Sequence, residues 1–238
     1  MPELITEAIV LRRTDYRDAD RIIALFSPDH GRLDVMARGV RKPSARLKAA
    51  CEPFATGTFH IQTAGGRAAL IGFTLSEGFF PLRRSYERLT QASYALGACL
   101  SAAQPGKPSP ELFSLLQLTL ARLAYTEQPG ENLLVRFLLS FAAYEGLAPS
   151  LDACAICGKA VNAGPIRFSS DEGGVCHASC APFGVPLSAG ALEYLRGARH
   201  GLDAEADDDA PNTADGLRVM RGFIEANLGG RIKAGELL

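Results

Sequence analysis

The stretch Phe54-Ala55-Thr56-Gly57-Thr58-Phe59-His60-Ile61-Gln62-Thr63-Ala64-Gly65-Gly66-Arg67 decides how the first third of the chain is read. Phe54, Thr56, Thr58, His60 and Gln62 alternate with Ala55, Gly57, Phe59, Ile61 and Thr63, which is the period of a strand with two unlike faces. Ala64 to Arg67 is a hairpin turn. Ala68 to Phe80 supplies the returning strand, with Gly72 and Gly78 as bulge positions. Upstream, Ile5 to Arg12 alternates and runs into Val10-Leu11 as a half-buried strand, and Asp15-Tyr16-Arg17-Asp18 is a turn. Arg21 to Phe26 is β-rich and stops at Ser27-Pro28-Asp29. After the turn His30-Gly31, Arg32 to Val40 alternates again. Five strands within residues 1–80, with no helix among them, predict a small closed or nearly closed barrel of the oligonucleotide-binding or SH3-like kind.

From Ser85 the period becomes helical. Leu89, Ala92, Ala95, Leu96, Cys99 and Leu100 make one apolar face. Ser109-Pro110-Glu111 reads as an N-cap, a proline at the first helical position and an early acid, opening a second helix that carries Leu112, Leu115, Leu116, Leu120 and Leu123. Glu131 to Tyr144 is a third, stopped by Gly146. Three helices with short connections suggest a bundle. Ser188 and Thr213 cap two further helices expected to pack on it, and Asp203 to Asp209 reads as an acidic loop.

Between those helices lie Cys154 and Cys157 as C-x-x-C, then Cys176 and Cys180 as C-x-x-x-C. Such spacing lets two knuckles bring four sulfurs to one ion. The expected ligands are Cys154, Cys157, Cys176 and Cys180 around one structural Zn2+. His177 is an alternative ligand, but four thiolates already close the shell and leave no position for water. Cys51 and Cys99 stand alone and read as small buried hydrophobes. The expected organisation is a barrel over residues 1–80, a helical domain over 81–150 and 185–238, and a zinc module inserted at 151–184.

The 238 residues include 25 Lys+Arg and 26 Asp+Glu. That near balance excludes a general polyanion binder, yet the charge is uneven. Residues 1–90 hold 14 basic against 10 acidic side chains. From Arg32 to Lys48 six cations (Arg32, Arg38, Arg41, Lys42, Arg46 and Lys48) face one acid, Asp34. Pro43 and Ser44 break any strand, so Arg38, Arg41, Lys42, Arg46 and Lys48 lie on a loop, with Arg32 nearby, where Lys and Arg can follow a phosphate backbone. Phe54, Phe59 and His60 are candidates for stacking on bases, although both phenylalanines also read as barrel core.

No catalytic constellation is present. Gly158-Lys159 lacks the upstream glycine and the Ser or Thr of a phosphate-binding loop. There is no dinucleotide fingerprint, no H-E-x-x-H, and no H-x-E before the C-x-x-C as a zinc deaminase requires. The expected protein is therefore not an enzyme. Met1-Pro2-Glu3-Leu4 lacks the basic start of a secretory signal. Leu133 to Ala143 is too short to span a bilayer and is broken by Arg136. The expected location is cytoplasmic and nucleoid-associated.

The runs Ala8-Ile9-Val10-Leu11-Arg12, Asp15-Tyr16, Leu25-Phe26-Ser27, His30-Gly31-Arg32, Ala37 to Lys42 and Cys51-Glu52-Pro53-Phe54 resemble the start of the RecO family of recombination mediators. Ala92-Ser93-Tyr94, Ser109 to Phe113, Gly146-Leu147-Ala148-Pro149 before Cys154 to Gly158, and Leu228 to Lys233 agree in order, so the resemblance spans nearly the whole chain. Glu52 stands where the family often has glutamine, and Lys233-Ala234 where it usually has Lys-Ser. The resemblance implies an α+β multidomain protein: an N-terminal five-stranded OB-fold β-barrel and a helical bundle domain with an inserted four-cysteine zinc module, the latter not universal in the family. It implies binding of single- and double-stranded DNA, annealing of complementary strands, and, with RecR, help in loading RecA onto strands covered by single-strand-binding protein. The acidic tail of that last partner needs a cation beside an apolar groove, for which Arg122 and Arg136 are the candidates. The competing expectation is a zinc-stabilised protein-interaction adaptor with no direct DNA role.

Overall fold

The computed structural model describes residues 3–161, 164–202 and 210–232, so the acidic run Asp203–Asp209 and the pair Lys233-Ala234 lie outside the described residues. They divide into two compact units, with the boundary between Ala124 and Tyr125.

The first unit opens with strands β1 (Glu3–Tyr16), β2 (Asp20–Ser27), β3 (Gly31–Ala37), β4 (Thr56–Ala64) and β5 (Arg67–Glu77), closed into a barrel in the order β1-β2-β3-β5-β4. β1 serves two neighbours. Its first half, from Glu3 to Ile9, pairs with β4, and its second half, to Tyr16, pairs with β2. A register shift between Val10 and Arg12 lets the strand turn from one partner to the other. Closure rests on one parallel pair between β3 and β5, Met36 with Ala69. Register shifts near Gly72 and beside Ser76 bend β5, whereas Gly78 lies past the strand's end.

Ala8, Val10, Ile23, Leu25, Val35, Phe59 and Ile61 fill the barrel, with Cys51 of the 3-10 turn Ala49–Cys51 packed against them. The expected half-buried β1 is in fact buried on both sides from Ala8 to Leu11. The reason lies outside the barrel. Helix α1 (Tyr86–Ala102) packs on β1, and Phe113 of α2 (Pro110–Tyr125) meets Phe26 of β2 edge to face, with ring centroids 5.8 Å apart. A strand covered by helices on its outer side reads as a continuous apolar run. Ser85 caps α1 by accepting from the Arg88 N–H. Ser109 instead donates its hydroxyl to the Lys107 carbonyl.

In the second unit, α3 (Gly130–Tyr144), α4 (Ala189–Ala198) and α5 (Ala210–Asn227) pack together. Gly146 stops α3 with φ of 74°, and Ser188 caps α4 through the Ala191 N–H. The last helix begins three residues before the expected cap, so Thr213 sits inside it and is buried. Three short strands, β6 (Ile166–Ser169), β7 (Gly174–His177) and β8 (Val185–Leu187), form a sheet in the order β7-β6-β8. Phe168 of β6 meets Phe223 of α5 at 5.7 Å and 86°, which ties this sheet to the helices. Among the described residues no helix is long and apolar enough to cross a membrane.

Candidate nucleic-acid interface and metal centre

Residues 38–48 form a chain of turns between β3 and β4, without strand or helix. Gly39, at φ of 67°, turns the chain and donates its N–H to the Asp20 carboxylate at 2.8 Å. The Arg41 N–H reaches the Ala19 carbonyl at 3.0 Å. The Arg41 guanidinium donates to the Arg17 carbonyl at 2.9 Å and lies 3.3 Å from Asp15. These contacts fasten the loop to the β1–β2 turn.

The acids beneath the loop are shared. Asp15 accepts from Arg21 at 2.9 Å, and Glu52 accepts from both Arg13 and Arg21. The hydrogen bond from Arg21, reinforced by the charges of Arg41, Arg21 and Arg13, holds the Asp15 carboxyl below its usual range against the opposing effect of desolvation. These acids therefore compensate Arg13, Arg21 and Arg41. Arg38, Lys42, Arg46 and Lys48 are exposed and have no ion-pair partner among the described residues. Arg32 is set apart. It lies half-buried on β3, paired with Asp34 at 2.8 Å on the same face of that strand.

Of the stacking candidates, Phe54 and Phe59 are buried and belong to the core. His60 is partly exposed and bonds Glu3 at 3.1 Å. Sequence reasoning misses an exposed aromatic beside the loop. Tyr16 ends β1 with the Arg17 guanidinium 5.1 Å from its ring centroid. An aromatic next to a cation on a strand end is the local signal that could find it.

The metal centre gathers Cys154, Cys157, His177 and Cys180, whose donor atoms all lie within 4.8 Å of one another. Three expected thiols meet, and His177 takes the fourth place. Cys176 stands outside this group, fully buried, with its sulfur 3.9 Å from the Gly174 carbonyl. Successive residues of a strand project to opposite sides, so Cys176 meets only the Cys154 thiol of this group, from the side, while His177 reaches the sulfurs of Cys157 and Cys180. His177-Ala178-Ser179-Cys180 also repeats the two-residue spacing of Cys154-x-x-Cys157.

The His177 ring supports this arrangement. Its Nε2 lies 3.2 Å from the Ala160 carbonyl, which can only accept, so Nε2 carries the proton. In the neutral ring this leaves the lone pair on Nδ1, 3.5 Å from the Cys157 sulfur and 3.9 Å from that of Cys180. Fixing the tautomer from behind is how proteins prepare an imidazole for a metal. Burial acts to raise the Cys154 thiol, but backbone N–H groups of Cys157, His177 and Ile156 and the Cys157 thiol outweigh it and bring it to about 5. Burial, with the charge of Cys154, pushes Cys176 up instead. Three sulfurs and one prepared imidazole fit a metal ion with four ligands.

Arg136 is buried, donating to Asn132 at 3.1 Å and to the Gly201 carbonyl at 2.8 Å. It is committed within its own unit and cannot receive a partner's carboxylate. Arg122 is half-buried near the end of α2.

Comparison with known proteins divides the chain near residue 80, just past the barrel strands. The family model described as "Recombination protein O N terminal" matches residues 1–79, and "Recombination protein O C terminal" matches residues 83–236. A protein of Myxococcus xanthus named "DNA repair protein RecO" is 34% identical over 239 residues, covering 98% of this chain and 95% of its own. Its namesake from Anaeromyxobacter dehalogenans (strain 2CP-C) is 35% identical over 240 residues, covering 97% and 93%. That of Bacillus pumilus is 32% identical over 196 residues, covering 80% and 75%.

Proposed function

This chain belongs to the RecO family of DNA repair proteins, and from that premise we propose that it is a recombination mediator acting by binding rather than by bond making. Residues 1–80 are the DNA-binding domain. Arg38, Lys42, Arg46 and Lys48 contact phosphates, with Arg41 anchoring the loop that carries them and Arg32 a peripheral contributor. The observation that supports this best is the surplus of cations. Four exposed side chains on one loop lack acidic partners among the described residues, while the neighbouring arginines are compensated.

Lys and Arg on a turn-rich loop can follow either a flexible single strand or a duplex backbone. Each phosphate neutralised releases condensed counterions. Two strands whose phosphates are partly neutralised repel each other less, which gives annealing a physical basis without nucleotide hydrolysis. RecR and single-strand-binding protein are the proposed partners in loading RecA. Placement in the cytoplasm and association with the nucleoid accompany that role.

Cys154, Cys157, His177 and Cys180 would hold zinc. When bound, zinc supplies a crosslink with a closed ligand shell, a scaffold and not a reactive centre. The chain's own contribution is the proton held on His177 Nε2 by Ala160 and the N–H groups that favour the Cys154 thiolate.

Titration of single- and double-stranded DNA across salt tests the reading. Replacing Lys42 and Arg46 together by Ala is expected to lower the slope of log affinity against log salt by about 1.4 to 1.8 units, roughly 0.7–0.9 for each phosphate no longer neutralised. An unchanged affinity and slope would remove the loop from the DNA interface. The same assay with complementary strands reads annealing.

A further inference from the structure

Beside the metal cluster, and built by the same module, is a cavity of about 350 Å3. Its apolar walls are Ile156 from the first knuckle, Phe168 of β6, and Phe183 and Val185 leading into β8. Its rim carries Asp171 and Glu172, both exposed, and among the described residues no lysine or arginine lines it. The volume falls at the small end of the range for binding sites, enough for one or two side chains and not for a large cofactor.

Phe183 is 99% exposed, Ile156 45% and Val185 39%. An aromatic side chain left wholly in water does nothing for folding, and contiguous exposed apolar surface with a polar rim marks an interaction site. Its setting is rigid. The Arg167 guanidinium donates to the Gly184 carbonyl at 2.7 Å, and the Gly184 N–H reaches the Ala181 carbonyl at 3.2 Å. A Cβ on Gly184 would sit 3.0 Å from the Phe168 carbonyl, so the chain behind Phe183 is pressed flat on β6. On the opposite lip the Glu172 N–H bonds the Ser169 hydroxyl at 3.3 Å. Both lips are thus held before anything binds, which lowers the entropy lost on association.

We propose that this groove docks a segment of a partner protein in which an aliphatic or aromatic side chain is flanked by lysine or arginine. The apolar side chain fills the cavity against Ile156, Phe168 and Phe183, and the cation meets Asp171 and Glu172 at the rim. The charge decides the partner class. Two carboxylates with no cation among the lining residues repel a phosphate backbone, and equally an acidic tail. This inference goes beyond the DNA-binding reading and does not depend on it.

Panning a random dodecapeptide phage library on the full metal-loaded chain, with subtraction on the Phe183→Ala protein, tests the proposal. Recovered peptides are expected to carry an apolar residue next to Lys or Arg. Made synthetically, they should bind at least about tenfold more weakly to the Phe183→Ala protein. They should lose binding to the Asp171→Lys, Glu172→Lys double variant. All three positions are exposed, which keeps the fold out of the comparison, and retained metal content confirms it. Recovery of no peptide that distinguishes the two proteins, or of acidic peptides, overturns the proposal. So does loss of single-stranded DNA affinity in the Phe183→Ala protein, which would assign the groove to nucleic acid.

Discussion

Residues 38–48 and residues 150–185 are both poor in regular structure, yet they are held in place by opposite means. The loop is tied at its root by acids of the neighbouring strands and of the turn before β4. Asp15, Asp20 and Glu52 reach its backbone or the arginines beside it, and the compensation stops there, so the outer cations remain available. The module is held from within, by four donors converging on one point and by a small sheet anchored through Phe168. One segment keeps a charge surplus outside; the other turns its reactive groups inward and leaves an apolar groove outside.

The largest expected effect breaks the module alone. His177→Ala or Cys157→Ser should lose the metal, whereas Cys176→Ser should keep it, as read by metal stoichiometry in native mass spectrometry. Structural zinc contributes on the order of 10–16 kcal/mol of apparent binding free energy in finger peptides, so loss of a ligand should open the amides of Val175 to Cys180 to hydrogen exchange. The salt slope of DNA binding should not move. Metal loss in Cys176→Ser with retention in His177→Ala would restore the all-thiolate set.

An intermediate effect grades the loop. Lys42→Ala and Arg46→Ala should each lower the salt slope by about 0.7–0.9 units, and Arg32→Ala, whose charge Asp34 already meets, by much less. Equal slopes for all three would mean that ion pairing within the protein does not decide which cations bind.

The smallest effect is shared by both regions. Hydrogen bonds from Arg21 to Asp15 and from Arg199 to Asp152 hold both carboxyls below their unfolded values. A depressed carboxyl stabilises the fold above its unfolded pKa, about 3.9, and the contribution fades as pH falls through the folded value. Carboxyl-carbon NMR during acid titration should show both groups protonating late. Asp15→Asn should remove the acid-side loss from the first unit only.

The barrel is legible because alternation over residues 54–63 and a Gly-Gly turn are local signals. The double burial of Ile9 and Leu11 is not, since it depends on helices that follow some eighty residues later. The loop's charge surplus can be counted in sequence, but its division into compensated and free cations cannot. Asp15 faces Arg21 across the β1–β2 hairpin, but Glu52 is brought to Arg21 only by the fold. Strands β6 to β8 are too short to show a period. Four thiols look sufficient in the sequence, and that hides His177. What favours the histidine is the Ala160 carbonyl 17 residues away, and that hydrogen bond exists only in the fold.

The turn between β2 and β3 carries one more consequence. The Arg32 N–H bonds the Gln104 carbonyl at 3.2 Å, the Gly106 N–H bonds His30 at 3.0 Å, and the Ser109 N–H bonds Pro28 at 2.9 Å. A Cβ on Gly31 would lie 2.2 Å from the Gln104 oxygen, on a backbone already at φ of 63°. The barrel and the link between α1 and α2 are therefore stitched main chain to main chain, with no room for a side chain in the seam. The two family models meet near residue 80, but a chimera spliced there would inherit half of this joint from each parent. Relatives could trade the barrel cleanly only with the first two helices attached, at a crossover after Ala124.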